Sequence, residues 1–452
     1  MLGINSNLFS AGLIRLSIAI SFVVTALVST TAQAAVPGVT GLNFNLTASA
    51  DYIAVADGGS VYMWGYSTDG SMQLPGPTLI VTEGDTVTVT LTNKLPYAAG
   101  NTSIVFPGHN VTANGGVQGP IAQEAANGGT VTYTFKADKP GTYQYHSASQ
   151  SDVQVEMGLY GALIVHPATI PSGCAHAAYN HPDTCYDREY MYLLSEIDYD
   201  LHRTVELQST GPGPIQLPLG TYTSEYWLMN GRAAPDTMAA AGTAVLPHQP
   251  YHALTRMHPG EKILMRVIGA GREMHPFHHH GNDSRIIARD GNLLVSATDP
   301  TKLAGPKVFT IPSIPGGTTD AIFEWTGKDL GWDIYGHVAG DGSACIDDDG
   351  DGYADTGKTG NTEHEWCADH DVPIPVKLPS LSSLTFGGFY SGSPFLGNLG
   401  SLPPGQGGLN PGAGFSYMWH SHTEREMVNN DIFPGGMMTM LIIEAPWVDI
   451  KE

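Results

Sequence analysis

From Thr86 to Thr92 the chain sets a threonine at every second position, with Val87, Val89 and Leu91 between them. Successive side chains of a strand face opposite ways, so this stretch is a half-buried strand with one apolar and one polar face. The same grammar recurs. VTYTFKADKPGTYQYHS reads as two strands around a Lys-Pro-Gly turn, and GLYGALIVHP as a buried closing strand. With 55 Gly, 31 Pro and only 20 Lys plus Arg, the composition suits short strands joined by tight turns and disfavours long helices. The fold class is all-β.

A first sandwich-like unit is expected over residues 35–167 and a second over 190–452, with a linker at 168–189 between them. The second begins at MYLLSEIDYD, continues through KILMRVIGAG and VFTIPSIPGGTTDAIFEWT, and closes on MMTMLIIEAP. Its order of parts parallels the first, so the chain reads as an internal duplication. A long loop rich in Gly, Pro, Ser and Asp interrupts the second unit at about 340–414.

Residues 1–34 read as a signal peptide: Arg15 precedes the apolar run LSIAISFVVTALV, and Ala32-Gln33-Ala34 offers a cleavage site. The alternative is an uncleaved anchor, although the run falls short of the roughly 20 residues that a spanning helix needs. The mature chain is therefore expected to be secreted or periplasmic and free of the membrane. A net charge of -23 argues against nucleic acid and anionic lipid, which both require a basic face. In an exported chain the two local cysteine pairs, Cys174 with Cys185 and Cys345 with Cys367, favour two disulfides. Within the loop, Asp347, Asp349, Asp351, Gly352 and Asp355 start a calcium loop, but Lys358 stands where a bidentate Glu would complete it. Calcium and a solvated acidic loop are the two readings.

The chemistry concentrates in histidines. MHPFHHHGND follows the strand KILMRVIGAG, and alternation gives His278 and His280 one face, with His275 set apart by a proline. In MWHSHTEREM, His420 and His422 share a face while Ser421 points to the other. With His146 of the first unit, five imidazoles form a candidate site for copper or zinc. Nearby Glu424, Glu426 and Asp283 are either orienting carboxylates or solvated charges. Met437, Met438 and Met440 read as core of the closing strand rather than as cuprous ligands. No cysteine lies near any of these histidines.

These motifs resemble those of the multicopper oxidase family, whose four copper motifs run HxHG, HxH, HPxHxHG and HCHxxxHxxxxM. The third is intact as HPFHHHG, the fourth is present as HSH, the second survives as His146-Ser147-Ala148, and the first aligns with Ile104–Gly108, which has no histidine. His109 lies just beyond as a loop residue. The resemblance implies two cupredoxin-like Greek-key β-sandwich domains. It also implies that His278 matches a type 2 copper ligand, His280 and His420 ligands of one type 3 copper, His146 and His422 ligands of the other, and His275 a ligand of the blue type 1 copper. Ser421 then occupies the position of the type 1 cysteine and Glu426 that of its histidine, and Met437 matches the methionine only after an insertion. A blue centre needs a thiolate, both as soft ligand and as covalent electron path, and a serine hydroxyl supplies neither.

Two readings follow. In one the chain is a secreted copper-binding oxidoreductase with a reduced copper complement, acting on a small molecule or a metal ion. In the other it is a non-catalytic cupredoxin-fold protein that binds or buffers copper or serves an extracellular structural role. A copper nitrite reductase is a third, weaker fit, since it too needs a blue centre. The layout resembles two-domain family members that place copper between the subunits of a homotrimer, so that His146 of one chain would face the histidines of the next.

Overall fold

The computed structural model describes residues 36–217, 220–328, 330–333, 337, 339–340, 342–355, 365–373, 393–395, 414–444 and 448–450. The expected signal peptide and a large part of the loop at 340–414, including Lys358, lie outside the described residues.

The threonine-alternating segment is the middle strand of a five-stranded sheet, Thr86–Asn93, flanked by Asn43–Ala54 and Thr130–Lys136. Val87, Val89 and Leu91 are buried in a core with Phe44, Leu46, Val131, Tyr133 and Phe135, while the threonines face outward. The apposed sheet has four strands, ordered Val39–Thr40, Gly76–Thr82, Tyr160–His166 and Gly141–His146, and lends Leu79, Val81, Leu163 and Val165 to the same core. The Lys-Pro-Gly turn therefore carries the chain from one sheet to the other, since Thr130–Lys136 and Gly141–His146 belong to different layers.

The second sandwich sets a seven-stranded sheet around Arg188–Ile197, Lys262–Gly269 and Thr318–Glu324 against a six-stranded one. The latter holds Met438–Ile443, Gly414–Ser421, His275–His279 and Thr310–Ser313 side by side. Trp325, Trp419, Phe277, Tyr417 and Leu441 fill the space between the layers.

Arg188–Ile197 is buried at every position, which an alternating half-buried strand is not. One face carries Tyr190, Tyr192 and Leu194 into the second core. The other carries Met191, Leu193 and Ile197 onto Met63, Leu74, Ala162 and Ile164 of the first sandwich, so the two sandwiches share an apolar seam. A buried polar lock closes the same interface: Arg266 pairs with Glu189 at 2.8 Å, donates to Thr142 Oγ1 at 2.8 Å, and Thr142 in turn donates to Asp320 at 2.5 Å. Cys174–Cys185 and Cys345–Cys367 both form disulfides.

In each sandwich a histidine-bearing strand pairs with the closing strand. Gly141–His146 pairs with the closing strand Tyr160–His166 so that His146 stands opposite Tyr160, and Gly414–Ser421 pairs with Met438–Ile443 so that His420 stands opposite Met438.

Candidate metal centre

His275–His279 and Gly414–Ser421 run antiparallel with His278 directly opposite His420 and Phe277 opposite Ser421. Cross-strand partners share a face, so alternation sends His278, His280, His420 and His422 one way and His275, Phe277, Trp419 and Ser421 the other, toward the core. These two neighbouring strands thus present two different constellations on the two faces of their sheet.

On the outer face, ligand atoms of His278, His280 and His420 all lie within 4.8 Å of one another. His420 Nε2 and His280 Nε2 are 3.2 Å apart. His422, which is exposed, brings its ring to 4.7 Å from that of His278. His420 Nδ1–H donates to the Ser421 carbonyl at 2.7 Å, which fixes the tautomer and leaves a lone pair on Nε2. His280 Nδ1 is buried with no hydrogen-bond partner. Burial, reinforced by the neighbouring imidazoles, pushes His278 down to about 4 and His280 down to about 3, and lowers His420 as well. These rings are neutral at pH 7, and neutral imidazole is the form that ligates. Crowded, uncharged and incompletely hydrogen-bonded nitrogens are the donor set of a soft or borderline cation such as copper or zinc.

His146 is half-buried, and its Nδ1–H donates to the Ser147 carbonyl at 2.9 Å, the same self-positioning bond that His420 makes. Among the described residues, the three-histidine group does not include it. His109 packs its ring 4.6 Å from that of Tyr143 and 4.9 Å from that of Phe135, as a loop residue resting on aromatics. His279, the middle residue of the triplet, is wholly buried between Phe323 and Trp419 and belongs to the core.

The inner face holds ion pairs. His275, expected as a metal ligand, is completely buried with both nitrogens engaged: Nδ1 lies 2.9 Å from Glu426 Oε2 and Nε2 lies 2.9 Å from Glu196 Oε2. Ser421 Oγ donates to that same Glu426 Oε2 at 2.5 Å. Glu196 takes further hydrogen bonds on Oε1 from the amides of Arg272 and Glu273. Serine, glutamate and histidine thus satisfy one another where the resemblance places a blue copper. Glu426, read from sequence as either an orienting or a solvated carboxylate, is buried and bonds His275. Sequence reasoning missed Glu196, which comes from a strand 79 residues upstream of His275. Its only sequence signal is a charged residue in the apolar run MYLLSEI.

In the loop, carboxylates of Asp347, Asp349 and Asp351 lie within 4.8 Å of one another. Asp355 is outside that group and accepts the Asp348 amide at 2.6 Å.

A multicopper oxidase family model matches residues 50–169. Copper resistance protein A of Escherichia coli is 29% identical over 278 residues, 55% of this chain and 43% of that protein. The chain spans less than half the length of the copper resistance relatives it matches. A copper-containing nitrite reductase of Alcaligenes xylosoxydans is 28% identical over 298 residues, 62% of this chain and 77% of the reductase. Among solved structures, the blue copper oxidase from Nitrosomonas europaea superposes with a TM-score of 0.50 at 20% identity, covering 88% of this chain and 85% of that one, which speaks for the fold. Sandwich architecture, histidine motifs and relatives agree: residues 50–169 form a multicopper oxidase domain, and the chain as a whole has a cupredoxin-like fold.

Proposed function

We propose that this protein is an exported copper-binding member of the family in which His278, His280, His420 and His422 hold copper and no blue centre is present. The observation that carries the reading is the convergence of three neutral imidazoles within 4.8 Å on one sheet face, with His280 Nδ1 buried and unpartnered. Copper held there would supply one-electron redox chemistry toward a small molecule or a metal ion. The chain's own part is to present lone pairs: the Ser421 carbonyl fixes His420, Thr310 Oγ1 lies 2.8 Å from His278 Nδ1, and the sheet keeps both strands in register. On this reading His146 of a neighbouring subunit completes the cluster in a homotrimer. The two disulfides agree with an oxidising compartment, as export requires.

Copper loading tests it. Purified protein dialysed against copper is expected to retain the metal, with a type 2-like paramagnetic signal and no intense blue thiolate band. His420→Ala is expected to weaken retention by ~100-fold or more, since loss of a direct ligand exceeds the effect of an outer partner. Equal copper in parent and variant, or none in either, would remove the reading.

The filled inner face favours a second reading, a copper-binding or buffering protein without turnover, because the usual electron port is occupied by Ser421, Glu426 and His275. Oxygen uptake with phenols or ferrous ion separates the two. A rate that falls in His420→Ala means catalysis at this site, and an identical background rate in both proteins means storage.

Calcium at Asp347, Asp349 and Asp351 belongs to the same proposal, as a structural ion with hard oxygen ligands. Added calcium is then expected to raise the melting temperature by a few degrees, reversibly on chelation. An unchanged melting curve at millimolar calcium would leave the loop as a solvated acidic turn.

A further inference from the structure

We propose that Asp333, His337, Glu365 and His370 form a second metal site, a closed four-ligand zinc site that fastens the inserted loop to the second sandwich. It lies on different segments from the histidine face and does not depend on the copper reading.

Four atoms define it. His337 Nδ1 stands 2.8 Å from Asp333 Oδ2 and 3.6 Å from Glu365 Oε1, while His370 Nδ1 stands 2.9 Å from Glu365 Oε1 and 3.9 Å from Asp333 Oδ2. The same nitrogen of each ring therefore faces both carboxylates, and the imidazoles lie 4.6 Å apart between centroids. Ligands at about 2.0 Å around a tetrahedral zinc stand roughly 3.3 Å from one another. The four nitrogen-to-oxygen edges, 2.8 to 3.9 Å, bracket that value.

Burial and charge point the same way. Asp333, His337 and Glu365 are all at least nine-tenths buried, and Glu365 Oε2 has no hydrogen-bond partner. Two protonated imidazoles would also neutralise the carboxylates, but that places four ionised groups out of water, at several kcal/mol each. A divalent cation balances the same two carboxylates while leaving both rings neutral.

The surroundings have the form of a metal site's outer partners. His370 turns its other nitrogen, Nε2, toward Ser343 Oγ at 3.3 Å and Asp371 Oδ1 at 3.5 Å, an arrangement that orients a ligating imidazole. Asp333 Oδ2 accepts the Asp371 amide at 3.1 Å, which holds the carboxylate in place. With four protein ligands and so no open position, the set suits a structural zinc rather than a catalytic ion.

The site also has a purpose in the fold. It ties residues that follow the Thr318–Glu324 strand to the arm that carries Cys367. That arm bonds back to the aspartate turn through the Ala354 amide on the Glu365 carbonyl and the Cys367 amide on the Gly352 carbonyl. Disulfide, backbone bridge and metal would together replace the apolar core that a loop of Gly, Pro, Ser and Asp cannot build.

The test uses the mature chain carrying His278→Ala and His420→Ala, so that the other histidine face cannot hold an ion, with calcium in excess to occupy the aspartate turn. After dialysis against zinc chloride, elemental analysis is expected to give about one zinc per chain, falling to less than about a tenth when His337→Ala and His370→Ala are added. Because that variant risks misfolding, cobalt chloride is also titrated into the protein with Asp333, His337, Glu365 and His370 intact. The intense visible bands of tetrahedral cobalt are expected to saturate at about one equivalent and to be displaced by zinc. No retained zinc and no such bands, or zinc retained equally without His337 and His370, would overturn the proposal.

Discussion

Replacing His275 by alanine is expected to destabilise the protein by about 3–5 kcal/mol, the range for removing one partner of a buried ion pair. The ring has no exposed surface and bridges two carboxylates at 2.9 Å each, so its loss leaves Glu196 and Glu426 buried with no cation between them. Ser421 Oγ and the amides of Arg272 and Glu273 still donate to them but carry no full charge. The pH dependence follows with a definite sign. Burial by itself would push the imidazole pKa down, but the hydrogen bonds that its two N–H groups donate to Glu196 and Glu426 override it and leave His275 raised to about 9. Its unfolded value is about 6.5. Stabilisation from this group is therefore fully present below about pH 6.5 and is lost as pH rises through about 9, a change of roughly 3 kcal/mol. Urea unfolding at pH 6 and pH 9.5 measures it. A parent whose midpoint does not move between those pH values, or a His275→Ala variant as stable as the parent, would show that the ring is not the charged keystone of this network.

How much of this the sequence discloses depends on whether the chemistry stays local. The Val87, Val89 and Leu91 face needs only strand alternation, and it is buried as that pattern requires. The histidine face needs only two strands of period 2 in a sensible register, and His278 does stand opposite His420. The cysteine pairs close short loops and both form. Glu196 fails that condition: nothing in MYLLSEI says which distant ring it will meet, because the register of strand against strand is a tertiary outcome. Asp333, His337, Glu365 and His370 fail it too. None of the four belongs to a described strand or helix, so separation in sequence defines no common face, and the two rings come together through the arm that carries Cys367. His146 differs again. Its motif is legible, but among the described residues it stands outside the group of three histidines, and on the homotrimer proposal its partners would lie on another chain, of which the sequence of one chain carries no trace.

A double variant, Ser421→Cys with Glu426→His, is expected to turn the copper-loaded protein blue. The geometry for this already exists on the inner face. Glu426 Oε2 sits 2.5 Å from Ser421 Oγ and 2.9 Å from His275 Nδ1, so three side chains converge on one small volume. Exchanging the hydroxyl for a thiolate and the carboxylate for an imidazole gives two nitrogens and a sulfur, the trigonal donor set of a blue centre. Glu196 then takes the role of an outer partner: it keeps the proton on His275 Nε2, which holds the lone pair of Nδ1 toward the metal. The exchange also removes one of the two carboxylates that hold the His275 proton, so the ring is freer to ligate. Ser421→Cys alone leaves the Glu426 carboxylate against His275, and it is expected to stay colourless. Visible absorption during copper titration reads the result. If the double variant binds copper and remains colourless, the inner face is not a former blue site, and the place of that site must be sought elsewhere in the fold. If it turns blue, the new thiolate lies on the backbone between His420 and His422, and oxygen uptake with ferrous ion then asks whether an electron reaches the outer histidines from the opposite face of the same strand.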